Sequence, residues 1–478
     1  MSGPIHQLTA VEIAAGIRAR RFSAVEVLAD HLARIEAVDP LVNAIVTLDA
    51  DAALEAARAA DRALARGGRG QLGPLLGLPI AVKDLVDTAG LRTTYGSPLF
   101  RDHVPQRDAL LVQRLRAAGA IVVGKTNTSE FGAGSQTCNA VFGPTRNPFD
   151  RARTPGGSSG GAAAAVAARL VPLADGSDLA ASVRNPASFC NLVGIRPTPG
   201  TIPEDSDAAD PWSPFGVSGT FGRTVADAAL LLRALAGREA GAPLSALQPL
   251  PGDLELRLRE PGDGVGVRVA WSRDLGGLPV EPEVLAALEP AREALAAIGC
   301  DVRDAEPALA FADEAFDTLR AVMFAAAHGA KVDATPEQVK QTIHWNVARG
   351  RALDGAAVAR AITLRGRAFH TLREFLQRFD VLALPTSQVV PFPVEVEWPR
   401  QVAGAPMEHY VAWLRSCSRI TVTGHPAISL PAGFTPSGLP VGLQLVGRHG
   451  GDAELLRVAA TLERALAERT AREPILYA

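Results

Sequence analysis

Two serines and one lysine are the residues of this sequence whose types and order could do chemistry. Ser158 lies within the segment Gly156–Gly161, which reads Gly-Gly-Ser-Ser-Gly-Gly, and Ser182 follows further along the chain. Lys83 ends the largely apolar segment 77–83. A serine hydroxyl is a weak nucleophile that needs a base, and a lysine made neutral by burial can be that base. The three residues could therefore supply a nucleophile, a proton relay and a base.

Lysine is rare in this chain, and its rarity draws attention to Lys83. Only four of the 48 basic residues are lysine, at positions 83, 125, 331 and 340. Arginine stays protonated in proteins, whereas a buried lysine can lose its proton. A lysine retained against this bias can do something that arginine cannot, which supports a base at position 83.

Charge and composition exclude several classes of function. The 478 residues are 47% hydrophobic, with 48 basic and 51 acidic residues and no long run of like charge. We therefore expect no nucleic-acid partner and no membrane partner. The first residues lack the basic and apolar regions of a signal peptide, and no apolar run reaches the length of a membrane helix. These features predict a soluble, cytoplasmic protein.

Cysteine and histidine are arranged without the spacing of a metal site or a disulfide framework. The four cysteines are scattered and form no C-x-x-C pair, and the nine histidines form no H-E-x-x-H motif. We expect free thiols, no metal and no cofactor.

Helical signals dominate the N-terminal region. Thr9 with Glu12, and Ser23 with Glu26, have the spacing of capping boxes. They predict helices over 9–20 and 23–38, the second ended by Asp39-Pro40, and an alanine-rich helix follows over 50–66.

Strands then alternate with helices, which predicts an α/β fold with a mostly buried sheet. Apolar runs predict strands at 78–82, 120–123, 267–271, 381–384, 427–430 and 441–446. Helical spacing predicts helices at 109–118, 160–170, 224–236, 283–298, 308–328, 355–378 and 453–467. We expect one large domain over 1–478, made of N-terminal helices (1–66), a core (70–236), a surface excursion (237–265) and a C-terminal part that completes the sheet (266–478).

Two local motifs have competing interpretations. The segment Gly119–Thr126 matches a phosphate-binding G-x-x-x-x-G-K-[ST] pattern, but its four middle residues are Ala, Ile, Val and Val, which are typical of a strand. We therefore reject a phosphate loop there. Residues 157–161 also match the G-x-S-x-G elbow, with Ser159 as nucleophile and His425 as a candidate base. In the simplest alternative, these glycines and serines only begin a tightly packed helix.

Taken together, the motifs resemble the amidase signature family of serine hydrolases. The resemblance covers most of the chain and rests on Gly77–Asp84, Gly124–Asp150, Pro155–Thr198, Gly222–Asp227, Gly424–Gly433 and Gly438–Gly447. It implies a single α/β domain with a large, mixed, twisted sheet covered by helices on both faces. It also implies hydrolysis of a small-molecule carboxylic amide to an acid and an amine, without metal or cofactor.

The resemblance also implies roles for individual residues. Ser182 would be the nucleophile, Ser158 the bridging serine after a cis peptide bond from Gly157, and Lys83 the base. The backbone amides of Leu179, Ala180, Ala181 and Ser182 would form the oxyanion hole.

Near the nucleophile the chain departs from the family pattern. Relatives carry one or two glycines just before the nucleophile, whereas this chain has Ala180-Ala181. If that loop needs positive φ angles, each alanine costs roughly 1 kcal/mol more than glycine. We expect Asp178 and Arg184 to brace the same loop.

Substrate and assembly are less determined by the sequence. Four aromatic residues lie in segments that could line an acyl pocket, although each could equally be core: Trp212, Phe215, Phe324 and Trp345. Two alternatives to a free-standing amidase remain open: the glutamine-hydrolysing subunit of a tRNA-dependent amidotransferase, and a non-catalytic binding or scaffold protein. A homodimer is also left open.

Overall fold

An eleven-stranded mixed β-sheet forms the centre of the protein. The computed structural model describes residues 3–66, 72–204, 210–245 and 262–477, together with 250, 251, 254 and 258. The described strands are β1 (Ile45–Leu48), β2 (Pro79–Lys83), β3 (Ile121–Thr126), β4 (Cys138–Asn139), β5 (Gly143–Pro144), β6 (Leu173–Asp178), β7 (Val193–Arg196), β8 (Val217–Gly222), β9 (Arg268–Trp271), β10 (Asp301–Asp304), β11 (Val381–Pro385), β12 (Gln401–Val402), β13 (Ala405–Pro406), β14 (Ala427–Phe434) and β15 (Pro440–Val446).

Helices connect and cover these strands. They are α1 (Ala10–Arg18), α2 (Ala24–Val42), α3 (Ala50–Ala65), α4 (Leu110–Ala117), α5 (Gly160–Ala167), α6 (Arg184–Phe189), α7 (Val225–Leu235), α8 (Pro282–Ala297), α9 (Ala312–Ala334), α10 (Gln341–Arg351), α11 (Gly355–Arg378), α12 (Arg415–Thr423) and α13 (Asp452–Thr470). Among the described helices, none is both long and apolar enough to cross a membrane.

The strand order of the large sheet is β1-β3-β2-β6-β8-β7-β14-β15-β11-β9-β10. Strand β2 runs parallel to both of its neighbours, β3 and β6, and β9 runs parallel to β10 and β11. The remaining pairs are antiparallel. The expected single α/β domain with a mixed sheet is therefore confirmed.

Helices bury both faces of the sheet. Successive side chains of a strand point to opposite faces, so a single strand contributes to the cores on both sides. In β2, Ile80 and Val82 pack into a core shared with α1, α4, α7, α8 and α13. Ala81 packs on the other side, in a core shared with α2, α3 and α5. A further core on α9, α11 and α12 includes Leu382 and Leu384 of β11. Lys83 has the same strand parity as Ala81, so its side chain is expected on the face that α5 covers.

The predicted helices and strands are present, with their ends displaced by a few residues. Both capping boxes form, at Thr9 with Glu12 and at Ser23 with Glu26. The largest displacement is in α9, predicted over 308–328 and observed over Ala312–Ala334. Residues 121–126 form β3, as the rejection of a phosphate loop requires. Much of the predicted surface excursion, 237–265, lies outside the described residues.

Helix α2 continues through Pro40, and its predicted end at Asp39-Pro40 is wrong. The helix ends at Val42, and Asn43 follows with a left-handed φ of 53°. The Asp39 carboxylate accepts hydrogen bonds from the N–H groups of Ala44 and Ile45, at 2.9 and 3.0 Å. Proline in the last turn removes only one N–H donor, and these contacts fix the exit of the chain.

Close packing of α5 on its neighbours requires Gly161, which yields a prediction about stability. A Cβ at Gly161 would lie 2.4 Å from the backbone nitrogen and 2.5 Å from the backbone oxygen of Asn127. Gly161→Ala should therefore lower the free energy of unfolding by about 1–3 kcal/mol, as overpacking does. The measurement is equilibrium denaturation.

The matched control is Gly366→Ala in α11. Its added Cβ meets no atom within 4 Å. Since alanine favours a helix over glycine, this control should raise the free energy of unfolding by about 0.5–1 kcal/mol. Equal stability of the two variants would contradict the packing assigned to Gly161.

Candidate active site

The site begins where the parallel strands β2 and β6 end side by side. Lys83 is the last residue of β2, and Ser177 and Asp178 are the last two of β6. Parallel strands present their carboxyl ends at one edge of a sheet, which brings these residues together. The Lys83 backbone N–H donates to Asp175 Oδ1 at 2.9 Å and ties the two strand ends.

The glycine-rich segment brings Ser158 and Ser159 to the same place from the N-terminal end of α5. The peptide bond between Gly157 and Ser158 is cis, as the family resemblance implies. Gly156 has a φ of 81°, a left-handed conformation that glycine adopts without steric cost. Ser159 directly precedes α5. The segment is therefore both the start of a tightly packed helix and part of the site.

The Lys83 amine is surrounded by three hydroxyl groups. Its Nζ lies 2.8 Å from Ser158 Oγ, 2.7 Å from Ser159 Oγ and 3.0 Å from Ser177 Oγ. Ser177 was not identified from the sequence. The available signal was its position next to Asp178, at the end of a strand that sequence analysis did not predict.

Burial changes the acidity of the Lys83 amine. The side chain is fully buried. Burial disfavours the charged form and lowers the pKa of Lys83 to about 7, while the negative charges of Asp175 and Asp178 oppose this shift. An amine with this pKa is substantially neutral at physiological pH.

Ser182 lies at the end of the loop that follows β6. Its side chain is 9% exposed and lines a cavity together with Ser158 and Ser177. The Ser159 backbone N–H donates to the Ser182 carbonyl at 3.2 Å. In the described part of the chain, no hydrogen bond joins the hydroxyls of Ser158 and Ser182 directly.

A buried ion pair holds this loop, as expected for Asp178 and Arg184. Arg184 donates to both carboxylate oxygens of Asp178, at 3.0 and 2.8 Å, and to the carbonyl of Ala180 at 3.1 Å. The Asp178 carboxylate also accepts the backbone N–H groups of Val183 and Arg184. Burial alone would raise the pKa of Asp178, but Arg184, followed by Arg196, lowers it to about 2. Asp178 is therefore ionised over the physiological range.

Alanine at positions 180 and 181 brings no left-handed strain. Neither Ala180 nor Ala181 is among the described residues with positive φ. The free-energy cost that alanine would have at positive φ therefore does not apply to this loop.

A cavity of about 400 Å³ opens over Ser158, Ser177 and Ser182. Of the four predicted pocket aromatics, Phe324 lines it. Trp212 follows the lining residues Asp210 and Pro211, but it is 67% exposed. Phe215 is buried against Phe316, and Trp345 packs on His409 and Tyr410. Phe131, His328 and Tyr410 line the cavity and were not predicted.

The structure does not bring Ser159 and His425 together as the elbow alternative requires. Ser159 is fully buried, and its hydroxyl contacts Lys83 and the backbone of Ser177. The His425 ring packs against Phe369 and His449, and its Nδ1 lies 3.0 Å from the Thr423 carbonyl oxygen. Burial lowers the pKa of His425 to about 4.

Sequence and structure comparisons agree with this geometry. The family model described as Amidase matches residues 26–456. The chain belongs to the amidase family. The chain is 40% identical to a glutamyl-tRNA(Gln) amidotransferase subunit of Acidothermus cellulolyticus, over 97% of this chain and 95% of that protein. It is 37% identical to an acylamidase of Rhodococcus erythropolis, over 96% of this chain and 95% of that protein.

A solved structure of the same family shows the same fold. The amidase superposes on a bacterial aryl acylamidase of the amidase signature family with a TM-score of 0.90 and 27% identity, covering 98% of both chains. The enzyme is accordingly a hydrolase of carbon–nitrogen bonds in non-peptide amides. The part of the chain that the structure describes holds no group of three or more His, Cys, Asp or Glu side chains placed to bind a metal ion.

The ion pair of Asp178 supports a prediction about folding. Asp178→Asn leaves the buried guanidinium groups of Arg184 and Arg196 without their shared counter-charge. Breaking a buried pair in this way should cost about 3–5 kcal/mol of unfolding free energy.

The control is Asp304→Asn, which removes the surface pair with Arg292, 2.9 Å apart. It should cost less than about 1 kcal/mol, because exposed pairs contribute little. Denaturant titration measures both variants, and an equally small loss in each would contradict the bracing role of Asp178.

Proposed function

We propose that this amidase hydrolyses a linear amide through an acyl-enzyme on Ser182, with Ser158 as proton relay and Lys83 as base. The observation that carries the proposal is the buried Lys83 amine, 2.8 Å from the Ser158 hydroxyl and with a pKa lowered to about 7. A base needs a pKa near the working pH and a hydrogen-bonded partner from which to take a proton.

The three hydroxyls around Lys83 match the bonding capacity of a neutral amine. A neutral amine has two N–H donors and one lone pair. Donation to Ser159 and Ser177 leaves the lone pair for the Ser158 O–H. In this arrangement the amine is oriented to accept a proton from Ser158, and Ser158 in turn takes the proton of Ser182.

Acylation and deacylation then follow the same proton path. Ser182 Oγ attacks the amide carbonyl as its proton passes through Ser158 to Lys83, and the proton returns to the leaving amine when the C–N bond breaks. Water activated along this path attacks the ester carbonyl, and the Ser182–acyl bond breaks. The acid leaves and the hydroxyl is restored.

Backbone amides beside Ser182 are positioned to stabilise the oxyanion. Asp178 occupies the N–H groups of Val183 and Arg184, and Arg184 holds the Ala180 carbonyl. In the described structure, no hydrogen bond occupies the N–H groups of Leu179, Ala180, Ala181 or Ser182. One such donor is typically worth ~3 kcal/mol of the barrier.

The second candidate is a glutamine-hydrolysing subunit of a tRNA-dependent amidotransferase. The 40% identity to an amidotransferase subunit of Acidothermus cellulolyticus favours it. Glutamine hydrolysis that appears only with co-purified partner proteins would distinguish this function from a free-standing amidase. A scaffold without catalysis would hydrolyse neither glutamine nor any other amide.

The base assignment predicts that Lys83→Arg loses activity although arginine is also a basic residue. Arginine remains protonated and cannot accept the Ser158 proton. Turnover of a panel of aliphatic, aromatic and amino-acid amides should fall by roughly 10²–10⁴-fold, the usual contribution of a general base. Labelling of Ser182 by a fluorophosphonate, read by mass spectrometry, should be lost with it.

Lys340→Arg is the matched control, because Lys340 forms a surface ion pair with Glu397. It should retain both turnover and labelling. Near-normal turnover in Lys83→Arg would rule out Lys83 as the base, and labelling at Ser159 would restore the elbow alternative.

The pH dependence of kcat/KM should report the Lys83 amine. Because the neutral amine is the active form, kcat/KM should rise about tenfold per pH unit below pH 7 and level off above it. Asp175→Asn removes a negative charge that raises the pKa of Lys83. The acid limb of the profile, where kcat/KM rises with pH, should therefore move to lower pH in this variant. A limb that stays in place in this variant would contradict the assignment.

A further inference from the structure

One face of α9 lines the cavity. Arg320, Met323, Phe324, Ala327 and His328 all border it, with the i, i+3, i+4, i+7, i+8 spacing of a single helix face. Four of these side chains supply apolar or aromatic surface. Arg320 places a guanidinium group at one end of this face.

The hydrogen-bond partners of the Arg320 side chain are neutral. The side chain is 6% exposed and donates to Asn346 Oδ1 and to the Tyr410 hydroxyl. Its guanidinium lies 4.2 Å from the ring centre of Phe324 and 5.1 Å from that of Tyr410. Within the described residues, no carboxylate lies at ion-pair distance from Arg320.

Other buried arginines of the same protein are neutralised. Arg184 and Arg196 share Asp178, and Arg419 pairs with Asp313 at 2.7 Å. A buried cation without a counter-charge is costly, which is why such groups are normally paired. Arg320 differs from these arginines in two respects: it lines the cavity, and the described protein supplies it with no anion.

Among the described residues that line the cavity, Arg320 is the one that carries a positive charge at physiological pH. Burial, followed by the charges of Lys331 and Arg320, lowers the pKa of His328 to about 4, so that ring is neutral at physiological pH. Glu204 is exposed and accepts hydrogen bonds from Ser218. Asp210 is exposed and accepts from the Trp212 N–H at 3.1 Å. Both carboxylates are therefore open to solvent, whereas Arg320 is buried.

We propose that Arg320 binds a carboxylate of the substrate, so that the enzyme prefers amides carrying an acidic group remote from the scissile bond. The substrate class is an amide with an apolar or aromatic body, packed on Phe131 and Phe324, and a terminal carboxylate held by the guanidinium fork. Arginine presents several N–H donors in a plane that matches a carboxylate. This inference rests on the proposed amidase function and names the substrate class of that site.

The first test uses the wild-type enzyme and matched pairs of amides. One series compares mono-4-nitroanilides of linear dicarboxylic acids with nitroanilides of monocarboxylic acids of equal chain length. A second series places the carboxylate on the amine side, using pentanoyl amides of ω-amino acids and of the corresponding alkylamines. In at least one series, kcat/KM should be about 10- to 100-fold higher for the acidic member, the range for hydrogen bonds to a charged group.

Variants then assign that preference to Arg320. Arg320→Met should abolish the preference, so that the ratio of kcat/KM between the acidic and the neutral member of a pair falls to about one. Arg320→Lys should keep part of it, because the charge remains and the planar fork is lost. The control Arg360→Met removes an exposed arginine that pairs with Glu314, and it should keep the full preference.

The outcomes separate this inference from the proposed function. If the wild-type enzyme hydrolyses no amide of the panel, the amidase proposal itself fails. If it hydrolyses neutral and acidic amides equally in both series, only the carboxylate site is overturned. If the preference exists but survives in Arg320→Met, or is undiminished in Arg320→Lys where the methionine variant does not fold, another residue binds the acid.

Discussion

Burial of one amine among hydroxyl groups is the interaction on which the site depends. Removing Lys83 from water lowers its pKa to about 7, and the hydroxyls of Ser158, Ser159 and Ser177 replace the lost solvent. An amine in this state can exchange a proton with a neighbouring hydroxyl at physiological pH, whereas an exposed lysine remains charged. The parallel pairing of β2 with β6 and the close packing of α5 on the same face keep water away from this amine.

The proposed mechanism also needs a rigid loop around Ser182, and the buried ion pair of Asp178 with Arg184 supplies it. Asp178 accepts side-chain and backbone hydrogen bonds from Arg184, and Arg184 also reaches the carbonyls of Ala180 and Cys417. These contacts join the end of β6, the loop and α12. The loop is therefore held in shape with alanine at positions 180 and 181. Arg320, which lines the cavity, is in contrast a buried charge that the described protein does not neutralise, and the proposed preference for acidic amides rests on this difference.

Local sequence signals predicted the elements whose causes are local. The capping boxes at Thr9 and Ser23 and the apolar run of β2 lie where expected, because caps and periodic apolar residues act within a few positions. Prediction from the sequence failed where contacts between distant parts of the chain determine the secondary structure. Strand β6, which reads Leu-Ala-Asp-Gly-Ser-Asp, looks polar, yet it is a central strand that pairs with both β2 and β8. At Pro40 the missed contact is a local one: helix α2 continues to Val42, and the Asp39 side chain accepts hydrogen bonds from the residues just past the helix.

For the site, residue types and their order were enough to identify Lys83, Ser158 and Ser182 as candidates, and the family resemblance implied the cis bond before Ser158. The sequence alone also indicated the amidase family, because several motifs occur in order along most of the chain. Only the tertiary structure could add Ser177, separate Phe324 from Trp212, Phe215 and Trp345, and place Arg320 in the cavity with no counter-charge among the described residues. These facts depend on which distant side chains share a space and how much water reaches them, and neither quantity is encoded in the spacing of residues along a chain.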